Sequence, residues 1–105
     1  MPQFAVHQNA DVAGRREVPY LLDVQSDLFV DMGTRVVVPL FSAVAMKGRT
    51  QGTLTPQFEV DGRQVVMVTQ QIAGIARKHL GPQTGSLSEH RQAIIAALDM
   101  LITGI

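Results

Sequence analysis

Asp61-Gly62, set between the runs 54–60 and 64–69, limits the folds open to this chain more than any other feature. A two-residue hairpin turn of the primed type requires positive φ, which Asp-Gly adopts readily, so the flanking runs are expected to pair as antiparallel strands. Residues 3–8 and 19–24 have the same β-like composition, and the polar stretch 9–16 between them has no apolar period and reads as a loop. Residues 35–41 form a continuous, β-branched-rich run that suits a strand buried on both faces. Pro39 has no N–H for the ladder, which marks a strand end, an edge or a bulge. Residues 72–80 stay open between a helix, which Gly74 disfavours, and a short final strand. Gly81-Pro82-Gln83-Thr84-Gly85 is expected to break the chain.

One helix closes the pattern, over residues 86–105. Leu87, Ile94, Leu98, Leu101 and Ile105, with Ile95 and Ile102 beside them, follow helical spacing, and Ser86 with Glu89 three residues later has the form of a capping box. Gly104 stands where a helix end needs positive φ, so Ile105 is aimed by a defined cap on an apolar tip. Short strands first and a helix last predict a single, mainly β domain over residues 1–105, a small antiparallel barrel with one C-terminal α-helix. With 105 residues, 46% of them hydrophobic, there is length for one core.

Charge and composition narrow the function. Nine Lys/Arg balance nine Asp/Glu, which removes the broad positive field that non-specific nucleic-acid binding uses. The absence of cysteine excludes a disulfide framework and thiolate metal sites, and the opening residues have no signal-peptide character, so a cytoplasmic protein is expected. The longest nearly apolar stretches, 36–41 and 93–98, are far too short to cross a bilayer. No nucleophile elbow, zincin, phosphate-loop, dinucleotide or calcium-loop pattern occurs, and His7, His79 and His90 are too scattered to form a metal site on sequence grounds. Asp23 and Asp27 lie four apart; two carboxylates can divide acid and base roles, but short side chains tying down a strand-to-turn junction are the simpler reading. His90-Arg91 beside Glu89 has the groups for RNA cleavage, against the simpler reading of a solvated first helical turn.

Together, Asp23-Val24-Gln25-Ser26-Asp27, the stretch from Arg35 through Pro39-Leu40, Leu87-Ser88 with His90-Arg91, and the closing Gly104-Ile105 resemble the CcdB toxins of bacterial toxin-antitoxin modules. The resemblance runs nearly end to end, from Gln3-Phe4 through the Asp61-Gly62 region, with a longer loop between Val6 and Tyr20. It implies an SH3-like barrel of the CcdB/PemK type, assembled as a homodimer that packs through Leu98 and Leu101. It also implies a function by binding and not by catalysis, without cofactor or metal. The dimer would present its C-terminal tips to the A subunit of DNA gyrase and trap that enzyme on cleaved DNA. The implied gyrase contacts are Leu28, Phe29, Asp99, Ile102, Thr103, Gly104 and Ile105. A CcdA-like antitoxin would fold along the toxin, with Gln8, Asn9, Asp11, Gly14, Arg15 and Arg16 as its contact region. DNA would be met only through gyrase or an antitoxin complex.

One position departs: before the closing Gly-Ile the best-known member has a tryptophan that packs on a gyrase arginine, and this chain has Thr103. Two alternatives stand beside this reading, the second of which rests on Thr103. One is an endoribonuclease of the same barrel fold, which needs Arg35, His90, Arg91 and a carboxylate to converge. The other is a diverged, non-toxic homologue that only binds antitoxin.

Overall fold

The computed structural model describes residues 2–104. Among these residues seven strands form one curled, half-barrel antiparallel sheet: β1 Ala5–Asn9, β2 Tyr20–Asp23, β3 Thr34–Ser42, β4 Gln57–Val60, β5 Arg63–Met67, β6 Ala73–Ala76 and β7 Leu80–Ser86. A one-turn helix α1, Ala43–Met46, follows β3, and helix α2, Arg91–Thr103, comes last. The sheet order is β4-β5-β3-β2-β1-β7, with β6 also on β3. This is the small antiparallel barrel that the order of strands and helix predicts, consistent with the SH3-like fold that the family resemblance implies.

The nine-residue β3 serves three partners. One edge pairs Val37–Leu40 with β2, while the other pairs residues 34–37 with β6 and then residues 40–42 with β5. Pro39 lies between those last two ladders, and its carbonyl accepts from the Val68 N–H on the same side. Proline is therefore tolerated inside the strand, at a switch of partners, where the sequence suggested an end, edge or bulge. At the β4–β5 hairpin Asp61 and Gly62 have φ of 51° and 78°, the two positive values of the expected turn.

Residues 81–85 do not break the chain; they belong to β7. The register on β1 goes from His7↔Gln83 to Asn9↔Leu80, so Gly81 and Pro82 together oppose only Gln8, a bulge that accommodates the missing N–H of Pro82. A Cβ on Gly81 would stand 2.4 Å from the Gln8 carbonyl oxygen, so glycine is required by close approach. The open stretch 72–80 resolves into β6, a 3-10 turn Arg77–His79 and the first residue of β7.

The helix starts later than expected. Ser86 ends β7 and its hydroxyl accepts from the Ser88 N–H, a 3-10 turn Ser88–His90 follows, and α2 begins at Arg91. Leu87, Ile94 and Ala97 are buried in the core with Phe4, Val6, Leu22, Leu40, Phe58 and Met67, while Ile95 and Leu98 pack partly against it. Gly104 caps α2 with φ 74°, its N–H donating to the Met100 carbonyl.

Tyr20 is buried at the start of β2, and its hydroxyl donates to Asp61 Oδ2 at 3.3 Å. Burial, and then the neighbouring Asp61 charge, push its phenol above the ordinary value of 10.0. The folded state thus holds this proton more tightly than the unfolded chain; the associated stability is complete below that ordinary value and is lost as pH rises through the raised one. Tyr20 is the single tyrosine and tryptophan is absent, so phenolate absorbance reports it cleanly. The native midpoint is expected above that of the urea-unfolded chain, and coincident midpoints would refute the assignment.

Candidate functional site

The turn after β2 is built by its own short polar side chains. Ser26 accepts from the Leu28 N–H and starts the 3-10 turn Asp27–Phe29. Gln25 spans the loop: Nε2 donates to the Phe29 carbonyl and Oε1 accepts from the Val36 N–H. Asp27 Oδ1 accepts from the Gln3 N–H at 2.7 Å, and Arg91 donates to Gln3 Oε1 while its guanidinium lies 5.7 Å from the Phe4 ring centre. These bonds hold an apolar loop out in solvent, with Leu28 86% and Phe29 53% exposed. Val30, Met32 and Val36 are exposed beside them in sequence, an extension of the surface that the sequence reading did not include. The signal for it was present in Leu28-Phe29-Val30-Asp31-Met32, an apolar run with neither strand nor helix period.

The second surface is the last turn of α2. Ile102 is 77% exposed, Asp99, Thr103 and Gly104 are exposed, and the Thr103 hydroxyl donates to the Asp99 carbonyl at 2.7 Å. Leu98 and Leu101 remain half-buried in the single chain. Ile105 lies outside the described residues.

The loop 9–16 is ordered by internal hydrogen bonds. Asn9 Oδ1 accepts from the Asp11 N–H, Asn9 Nδ2 donates to the Val18 carbonyl, and Arg15 Nε donates to the Asn9 carbonyl at 2.6 Å. Asp11 starts the 3-10 turn Val12–Gly14 by accepting from the Ala13 N–H. Gln8 and Asn9 belong to β1, Gly14 and Arg15 are half-buried, and Arg16 is exposed.

The residues that RNA cleavage would require stand apart in character. Arg35 is 0% exposed and grips Asp23 through two bonds, Nε to Oδ2 at 2.7 Å and Nη2 to Oδ1 at 2.9 Å. It is therefore closed to any nucleic acid. His90 tilts against the Phe58 ring, with centres 4.9 Å apart, and lies 3.7 Å from Glu89, while Arg91 is engaged by Gln3 and Phe4. Asp23 and Asp27 act as junction ties, since Asp23 Oδ1 also accepts from the Gln25 N–H. His7 is buried on β1, His79 sits in the turn before β7 and His90 precedes α2.

The curled sheet closed by a C-terminal helix, with exposed surfaces made of loops and a helix end, places the chain among small SH3-like barrel proteins. A family model described as CcdB protein matches residues 3–104, and the chain belongs to the CcdB family, one of toxin-antitoxin toxins. Among the described residues no helix is long and apolar enough to cross a membrane.

Removing one member of a buried ion pair strands the other, at a cost of about 3–5 kcal/mol. Asp23→Ala is expected to lower the urea unfolding free energy by about that amount. Asp23→Leu combined with Arg35→Met is expected to recover most of it, and a double variant no better than the single one would refute this account.

Proposed function

We propose that this chain is a toxin that acts by occupying a protein target. A homodimer packed through Leu98 and Leu101 presents two C-terminal tips to the A subunit of DNA gyrase in the cytoplasm and holds the enzyme on cleaved DNA. It performs no covalent chemistry of its own. The observation that carries the reading is the exposed last turn of α2, where Ile102 projects into solvent beside a rigid Gly104 cap. Leu28 and Phe29 supply further apolar anchors, and Asp99 and Thr103 supply polar contacts. A CcdA-like antitoxin neutralises the toxin through the separate surface around Gln8, Asn9, Asp11, Gly14, Arg15 and Arg16.

Thr103 directs attention to the non-toxic alternative, because its hydroxyl is turned onto the Asp99 carbonyl and it offers no ring to a cationic partner. Gyrase supercoiling and cleavage assays separate the readings. Deleting Gly104-Ile105 is expected to abolish accumulation of cleaved DNA while leaving a folded dimer. Thr103→Trp is expected to strengthen gyrase binding by about 0.5–2 kcal/mol, the range of a cation–π contact. Wild-type protein inactive against gyrase but tightly bound by antitoxin supports the non-toxic homologue instead, and cut RNA supports the nuclease.

The dimer has its own test. Burying leucine contributes about 1.5–3 kcal/mol, and a carboxylate at the same place is strongly penalised. Leu101→Asp is expected to turn a dimer into a monomer or an unfolded chain by sedimentation. Wild type sedimenting as a monomer at micromolar concentration would contradict the assembly.

A further inference from the structure

Gln3 and Phe4, just before β1, form a strap that ties together parts of the fold distant in sequence. Phe4, with φ 68°, donates its N–H to the Asp23 carbonyl at the end of β2 and accepts from the Leu87 N–H ahead of α2. That corner directs Gln3, which bonds to three further segments. Its N–H donates to Asp27 Oδ1 at 2.7 Å, its Nε2 donates to the Val24 carbonyl at 3.2 Å, and its Oε1 accepts from Arg91 Nη1 at 3.3 Å. Arg91 is oriented for this bond by the Phe4 ring beneath its guanidinium.

The residue type suits the place. A carboxamide carries a donor and an acceptor on one arm, so glutamine can meet a carbonyl and a guanidinium together, which neither a carboxylate nor a cation can do. Gln3 is half-buried, which shields these bonds in part from water. The other braces of the Asp27–Phe29 turn point toward the sheet. Gln25 bonds to the Phe29 carbonyl and the Val36 N–H, and Arg77 Nη1 donates to the Val30 carbonyl. Gln3 carries the turn across to the helix instead. Leu28 and Phe29 are exposed, so their direction is set by these backbone attachments more than by packing of their own side chains.

We propose that Gln3 is a positioning residue that fixes the Leu28–Phe29 turn relative to helix α2, so that both apolar parts of the proposed surface meet the gyrase A subunit as one preformed unit. The inference rests on the gyrase reading above and adds the residue that aligns its two halves. Gln3 acts through Asp27 and Arg91. Without its side chain the turn keeps its sheet-side braces but samples further orientations, and affinity falls with the fraction of molecules that are aligned.

The test compares full-length wild type with Gln3→Met, which keeps the side-chain length and loses both amide bonds. Asp27→Ala and Asp27→Asn form a second pair that removes and restores the acceptor for the Gln3 N–H. Solvent exchange of the Leu28 and Phe29 amides is followed by NMR with the β5 amides as reference, and binding of the gyrase A subunit is measured by calorimetry. Gln3→Met and Asp27→Ala are expected to speed exchange in the turn and to weaken gyrase binding, each about tenfold, with β5 unchanged. Asp27→Asn is expected to behave as wild type in both measurements. Unchanged exchange in the turn, or equal gyrase affinity in Gln3→Met and wild type, overturns the positioning role and leaves the gyrase reading standing. Wild type that does not bind the gyrase A subunit overturns both. Asp27→Asn as weak as Asp27→Ala assigns the carboxylate to direct target contact, and faster exchange that extends to β5 assigns the effect to lost stability; either outcome overturns the proposal.

Discussion

Asp23 and Arg35 form the junction on which the arrangement of this protein depends. Two charge-assisted bonds cross from the end of β2 to the start of β3 inside the fold, and neither side chain reaches solvent. The same aspartate uses its carboxylate to start the turn at Gln25 and its backbone carbonyl to accept from the Phe4 N–H at 2.6 Å. Phe4 in turn accepts from the Leu87 N–H, just before α2. Asp23 thereby bonds to the start of β3, to the turn at Gln25 and, through the Phe4 backbone, to the segment that leads into α2. The ion pair's net contribution to stability is limited by desolvation, whereas its two bonds tie the end of β2 directly to the start of β3.

Strain collects along this path. Phe4 has φ of 68°, a left-handed conformation disfavoured for an aromatic residue, yet it is buried and tied at both its N–H and its carbonyl. Such a conformation costs on the order of 1–3 kcal/mol and persists only where surroundings overdetermine it. Phe4 stands where the N-terminal residues turn into β1, and the Arg91 guanidinium lies over its ring. Gln3 then links Asp27 to Arg91, so the exposed Leu28–Phe29 turn is connected to the α2 start by hydrogen bonds.

The proposed surfaces share a physical pattern: a hydrogen-bonded backbone displaying side chains that the core does not need. The Gly104 cap ends α2 with Ile102 outside, and Gln25 braces the apolar turn from both ends. On the other side of β1, Asn9, Asp11 and Arg15 consume the local backbone groups and leave Arg16 free for a partner. A pre-ordered surface lowers the ordering entropy of association, which is in keeping with the binding role proposed. The burial of Arg35 weighs against the nuclease alternative because a guanidinium enclosed with its carboxylate cannot meet a phosphate.

The chain's own residues announced whatever is decided within a few positions. Asp61-Gly62 and Gly104 specify the sign of φ, the apolar spacing of residues 94–102 specifies a helix, and short β-branched runs specify strands, so the barrel class and the family resemblance were legible. The tertiary structure decided what depends on partners distant in sequence. Gly81 and Pro82 look like a break until Gln8 lies opposite them in a bulge, Pro39 looks like an end until two ladders meet beside it, and Arg35 looks available until Asp23 closes on it. Local sterics act through neighbouring atoms and can be read from neighbouring letters. Burial, register and ion pairing arise between surfaces that exist only after the sheet has curled, so the same letters carry them without displaying them.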